Sequence, residues 1–195
     1  ASGEEEGREA KSEASVERVR AEAMSISKPV QLGSISEIIF NELKKLGFEN
    51  LRNSEIIINK ENKESVIGYY YSDYGFTETV EVFYNEHPRV KLLAEELKRA
   101  DDAFAAIEIQ EKEMKEWIKY RIKLGYLPDP KLNNAKSLFY YSYSIGPGAL
   151  SISSFKPITE IQLKILERFK NVFGLAYRRY ADVALAETQA KEAQI

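Results

Sequence analysis

The apolar positions change period several times along the chain, and each change marks an element. Ile35, Ile38, Ile39, Leu43 and Leu46 recur at steps of three and four, predicting a helix over about 34–46 with Gly47 as its C-cap. Ahead of it, 4–24 predicts a charged helix with a thin seam of Ala14, Val16, Val19 and Ala23, and Pro29 interrupts the pattern. The period then drops to two. The β-branched run at 55–60 and the segment 66–72 predict strands with a turn at 61–65 between them. A third strand at 76–84 places Phe76, Val80, Val82 and Tyr84 on one face and Thr77, Thr79 and Glu81 on the other.

Pro88 suits the first turn of a helix that Val90, Leu93, Ala94 and Leu97 carry to about residue 101. A fourth strand follows at 103–109. A helix at 111–124 has Met114, Trp117, Ile118 and Ile122 on one side and ends at Gly125. Two strands joined through Gly146-Pro147-Gly148 form a hairpin. The last helix starts at about 159, where Thr159 and Gln162 fit a capping box. Its stripe runs Ile158, Ile161, Ile165, Phe169, Val172, Ala176, Tyr180 and Val183, with Leu166, Phe173 and Tyr177 as an adjacent stripe. An apolar arc this wide predicts contact with two surfaces.

The resulting expectation is an α+β domain on a central six-stranded antiparallel sheet. The inserted helices at 88–101 and 111–124 cover one face; the N- and C-terminal helices cover the other. The division expected is 1–30 as connecting helix and linker, 31–180 as the domain, and 181–195 as an extension of the closing helix.

A helix over 159–195 would be roughly 55 Å long, against about 30 Å for a small domain. Its end therefore runs beyond the body, and a second helix is expected to steady it. Val16, Val19, Phe169, Val172, Phe173, Ala176, Tyr180 and Val183 are the candidates for helix packing and a dimer seam, giving a homodimer through the terminal helices. The plainer reading is that both ends are solvated, fraying helices.

The stretch Ile158–Ile195, "ITEIQLKILERFKNVFGLAYRRYADVALAETQAKEAQI", resembles the closing helix of GAF-like sensor domains in bacterial multi-domain signalling proteins of the histidine kinase and cyclase type. The hairpin "FYYSYSIGPGALSISSFKP" and the segment "ASVERVRAEAM" at 14–24 are similar to the same group. The resemblance implies a GAF fold with a ligand cavity beneath the inserted helices, dimerising helices opposite, and neighbouring signalling domains in a longer protein. It covers 14–24 and 138–195 closely; between them only the element order matches.

The family's cofactor chemistries find few residues here. With no cysteine, neither bilin attachment through a thiol nor a cysteine-based reductase is expected. The spaced Asn-Lys, Phe and Asp-Glu pattern of cyclic-nucleotide sites is not matched. His87, the single histidine, reads as a helix cap before Pro88, and one histidine with scattered carboxylates does not make a metal site. No nucleophile, acid–base pair or phosphate loop emerges, so an enzyme is not expected. Tyr69, Tyr71, Tyr84, Trp117, Tyr120, Tyr141 and Tyr143 are the candidate lining of a small-molecule pocket. The same tyrosines could equally be strand formers filling a core.

Composition narrows the rest. A net charge of −3, with five Glu among the first thirteen residues, offers nothing to a polyanion, so no nucleic acid is expected. The lysines of 111–124 alternate with glutamates, and with Arg121 they read as a salt-bridged exposed face. No apolar run reaches the ~20 residues of a membrane span, and no secretory pattern is seen, so a cytoplasmic setting is expected. The functional expectation is a sensory domain that relays a small-molecule signal through dimeric flanking helices. The alternative is a ligand-free dimerisation or protein-interaction module.

Overall fold

One antiparallel sheet, buried on both faces, places every side chain discussed below. The computed structural model describes residues 2–62 and 64–195; Ala1, and Lys63 of the expected turn, lie outside the described residues. The strands are β1 (Leu51–Asn59), β2 (Ser65–Ser72), β3 (Gly75–Phe76), β4 (Val80–Phe83), β5 (Phe104–Gln110), β6 (Ser137–Ser144) and β7 (Gly148–Ser154). Their order is β3-β2-β1-β7-β6-β5, with β4 also on the outer edge of β2. The helices are α1 (Gly3–Met24), α2 (Gln31–Lys45), α3 (Pro88–Leu97), α4 (Glu111–Leu124) and α5 (Glu160–Glu192). Helices α3 and α4 lie over one sheet face, while α1, α2 and α5 build the core on the other. The α+β architecture is the expected one.

The strand expected at 76–84 is split. Tyr71 pairs with Phe76 and Gly68 with Val80, so three residues of the outer strand oppose two of β2. This extra residue is a bulge, and it reverses the alternation. Phe76 therefore packs against Tyr71 at 4.9 Å between ring centroids, on the opposite face from Val80. A second irregularity falls in β1, where the register shifts between Leu51 and Asn53.

The expected caps form. Thr159 and Gln162 make a reciprocal capping box at α5, and the His87 ring accepts the Arg89 N–H at α3. Gly125 takes φ +107°, a left-handed cap that ends α4 and turns Tyr126 back beneath it.

The seam of α1 is not the apolar one predicted. Ala14 is exposed, whereas Ser12 and Ser15 are buried beside Val16, Val19 and Ala23. Their hydroxyls are satisfied, which is why serine is tolerated there: Ser15 donates to Glu42 (2.8 Å) and Ser12 accepts from Arg168 (2.9 Å). Glu42 also receives Arg18 through Nε and Nη2 at 2.6 and 2.9 Å. Burial works to raise the Glu42 pKa, but the Arg18 and Ser15 hydrogen bonds outweigh it and hold the carboxyl below its usual range. Val16 and Val19 share one hydrophobic cluster with Ile35 of α2 and Phe169 of α5.

Helices α1 and α5 run parallel. Arg168 meets Ser12 near their starts, and Ala23 and Met24 share a groove with Tyr180 and Val183 further along. With 33 residues, α5 is about 50 Å long and continues past the end of α1. Phe169 is fully buried. The substitution Phe169→Asp removes its packing and strands a carboxylate there, and is expected to destabilise the domain by more than about 4 kcal/mol, read as loss of the cooperative thermal transition by circular dichroism.

Candidate functional site

Between the sheet and the α3–α4 layer lies a cavity of about 270 Å³. Its floor follows from strand register. Antiparallel partners share a face, so Ser142, Ser151, Glu55 and Tyr70 form one row across β6, β7, β1 and β2. Tyr140, Ser153 and Asn53 form the next row. Leu93, Leu97, Trp117, Tyr120, Arg121 and Leu124 descend from the roof. Helix α3 contributes no fully buried side chain, so it rests lightly on what lies beneath.

Of the seven candidate lining residues, Tyr84, Trp117 and Tyr120 border this cavity. The other four do not: Tyr69, Tyr71, Tyr141 and Tyr143 lie on the reverse face, packed with α2 and α5. The reason is alternation, which in the run Tyr69-Tyr70-Tyr71 sends only Tyr70 to the cavity side. Tyr126 and Tyr140 also line the cavity and had no distinguishing pattern in the sequence.

Two charged clusters occupy the buried floor. Arg52, carried to this side by the β1 register shift, donates to Ser153 Oγ (2.8 Å), Tyr70 Oη (3.0 Å) and Tyr140 Oη (3.1 Å). Asp129 stands 3.4 Å from it as counter-ion, and the Trp117 indole N–H donates to Tyr140 Oη at 3.0 Å. This cluster is internally complete. The second is not. Glu55 accepts a 2.7 Å hydrogen bond from the Tyr126 hydroxyl, while the Arg121 guanidinium lies 4.0 Å over the Tyr126 ring and 5.4 Å over that of Tyr70. Among the described residues Arg121 forms no ion pair, and its Nη2 has no hydrogen-bond partner. The Tyr120 hydroxyl is likewise buried without one.

Arg121 thus overturns its expected place on an exposed salt-bridged face. The buried stripe of α4 is Met114, Trp117 and Arg121, and Ile122 is half exposed. Burial pushes the Glu55 carboxyl above its ordinary range, against the opposing pull of Tyr126, Arg121 and Arg52. Desolvation lifts the Tyr120 phenol to about 12, leaving it a proton donor at neutral pH. Gly68 is required by this arrangement, because a Cβ there would sit 2.5 Å from Glu55 Oε2 and 3.2 Å from Tyr126 Oη. His87 does not face an open coordination site: Nδ1 accepts from Arg89, and Nε2 lies 3.0 Å from Glu116. Among the described residues no group of three metal-ligating side chains occurs, and no helix is long and apolar enough to cross a membrane.

Of the eight helix-packing candidates, Val16, Val19, Phe169, Val172, Phe173 and Ala176 are buried within the single chain, and Tyr180 is half-buried. They pack α1 and α5 onto their own domain. Val183 remains 52% exposed, in company with Ile161, Leu175 and Leu185.

No family model matches the chain, and no curated protein matches it. Solved structures do share its fold. Residues 122 to 287 of a methyl-accepting chemotaxis protein superpose with a TM-score of 0.51 at 11% identity, covering 86% of this chain and 98% of that one. The chromophore-binding domain of a bacteriophytochrome from R. palustris gives 0.51 at 10% identity, over 94% of this chain and 64% of that one. The GAF domain of an Acinetobacter phosphoenolpyruvate-protein phosphotransferase gives 0.48 at 13% identity, over 86% and 93%. The likeness to the chemotaxis protein and the phytochrome domain is one of fold, and the α+β arrangement on a central antiparallel sheet expected from the sequence is the one observed.

Two outcomes are expected at this site. Because the Glu55 pKa is raised on folding, the folded state binds more protons than the unfolded one between the two pKa values, so this group's contribution to stability falls as pH rises through that window. The difference in urea stability between Glu55→Gln and the wild type should grow in the variant's favour from the ordinary glutamate range upward. Gly68→Ala should displace Glu55 from Tyr126 and lower the melting temperature, at a cost of about 1–3 kcal/mol.

Proposed function

We propose that this is a non-enzymatic, GAF-like regulatory domain that binds a small molecule between its sheet and α3–α4 and relays the event through α1 and α5 in a homodimer. The observation that carries the reading is the cavity itself. Side chains do not fill the space beneath α3, and it is bordered by buried polar groups without partners, Tyr120 Oη and Arg121 Nη2. A ligand-free interaction module has no use for such groups, whose burial is costly.

The relay has a physical route. A single sheet separates the cavity from the helices, and Tyr141, next in β6 to the cavity residue Tyr140, packs in the cluster containing α2 and α5. A ligand shifts the helices only by binding one arrangement more tightly than the other. The surface left for a second subunit is the outer face of α5, where Ile161 and Leu175 stand two heptads apart.

Metabolite libraries of neutral, anionic and cationic compounds should contain members that raise the melting temperature saturably; a library without one overturns the sensor reading. Sedimentation should find the full chain dimeric and a version ending after Tyr180 more weakly associated. Two monomers would remove the dimer from the scheme without touching the cavity.

A further inference from the structure

The partnerless groups bordering the cavity can both donate. Arg121 Nη2 is a donor only, and the Tyr120 hydroxyl can donate or accept. They are consecutive residues on α4, and both border the cavity. What complements two donors is a group offering two acceptor oxygens. The other guanidiniums near the cavity are paired: Arg89 makes a two-point ion pair with Glu113 (2.9 and 2.7 Å) and Arg52 has Asp129, while Lys98, 4.3 Å over the Tyr84 ring, is exposed to solvent. One guanidinium therefore lacks a counter-ion.

The candidate internal counter-ion, Glu55, is committed elsewhere. Its Oε2 is held by the Tyr126 hydroxyl, and Arg121 meets the Tyr126 ring rather than the carboxylate. A buried guanidinium balanced mainly by ring faces is poorly compensated, and a carboxylate received by its planar fork is the geometry that compensates it best. One buried cation without an ion pair matches a monoanion and leaves a phosphate dianion under-neutralised. Much of the remaining wall, including Val66, Val82, Leu93, Ile107 and Trp117, is apolar, with Asn59, Asp101, Ser144 and Ser151 also at the border.

We infer that the cavity takes a small monocarboxylate with an apolar body, its carboxylate received by Arg121 and Tyr120 and its body lying against Trp117 and the roof of α3. This rests on the sensor reading above and specifies its ligand class. Tyr120 and Arg121 act as binding residues, and the Tyr126 ring seats the Arg121 guanidinium.

Trp117 is the only tryptophan in the chain and borders the cavity, so its fluorescence reports occupancy directly. The full chain is titrated with benzoate, its neutral isostere benzamide, benzylamine and inorganic phosphate, each to millimolar concentration. Benzoate should change the emission saturably, and the other three should not. Arg121→Gln should weaken benzoate binding roughly ten- to a hundredfold while retaining the far-ultraviolet circular dichroism of the wild type. Since a buried substitution can unfold the domain, Tyr120→Phe provides the second variant and should weaken binding severalfold. Glu55→Gln should keep benzoate binding, whereas a site for cations would lose benzylamine binding in that variant. Equal binding of benzamide, preference for benzylamine or phosphate, or undiminished benzoate affinity in both Arg121→Gln and Tyr120→Phe overturns the inference. So does the absence of any benzoate response. In that case the sensor reading is judged separately, by whether neutral or cationic members of the wider library still raise the melting temperature.

Discussion

Alternation along β1, β2, β6 and β7 is the constraint from which the rest of the molecule follows. A sheet covered on both sides must present apolar or satisfied side chains in both directions, and the period of two makes the choice for each residue. On the α2–α5 side the result is a dry core of Ile56, Leu150 and Ile152 against Phe169 and Phe173. On the α3–α4 side the same strands deliver Glu55, Tyr70, Tyr140 and Ser151. One face thus provides cohesion and the other polarity. Where the alternation is broken, at the start of β1 and between β3 and β4, the break changes what reaches each side: Arg52 gains the polar face and Phe76 is sent away from it.

Polar groups on the cavity side separate into a finished set and an unfinished one. Arg52 is saturated by two tyrosines, a serine and Asp129, and such a closed set rigidifies the floor. Arg121 has ring faces for neighbours and lacks a partner at Nη2. The contrast matters because both side chains are equally hidden. Burial alone does not mark a binding residue; burial with an unmet donor does.

The sequence made the elements legible and the inner surfaces much less so. Switches between periods of 3.6 and 2 located all five helices, and Thr159, Gln162, His87 and Gly125 marked their ends because capping is local chemistry. Three successive tyrosines carry no parity signal, so Tyr69 and Tyr71 were indistinguishable from Tyr70 until register was known. Arg121 sits among Lys119 and Lys123, and charge patterning assigns such a residue to solvent; its i, i+4, i+7 relation to Trp117 and Met114 was the overlooked clue. Gly68 had a meaning only in three dimensions, as the vacancy that admits the Glu55 carboxylate. The buried serines of α1 leave no apolar period to read, because they are tolerated there only through their partners Glu42 and Arg168.

The parallel course of α1 and α5 has a mechanical corollary. Backbone before α1 and backbone after α5 depart from opposite ends of the pair, so the globule rides on the flank of an axle instead of closing a hairpin. Peptide dipoles in the two rods point the same way and repel slightly along their length, a cost met here by the contact of Arg168 with Ser12 and by the valines between the rods. A pull along one rod therefore loads the Arg168–Ser12 contact and the shared apolar cluster on its neighbour in the same direction.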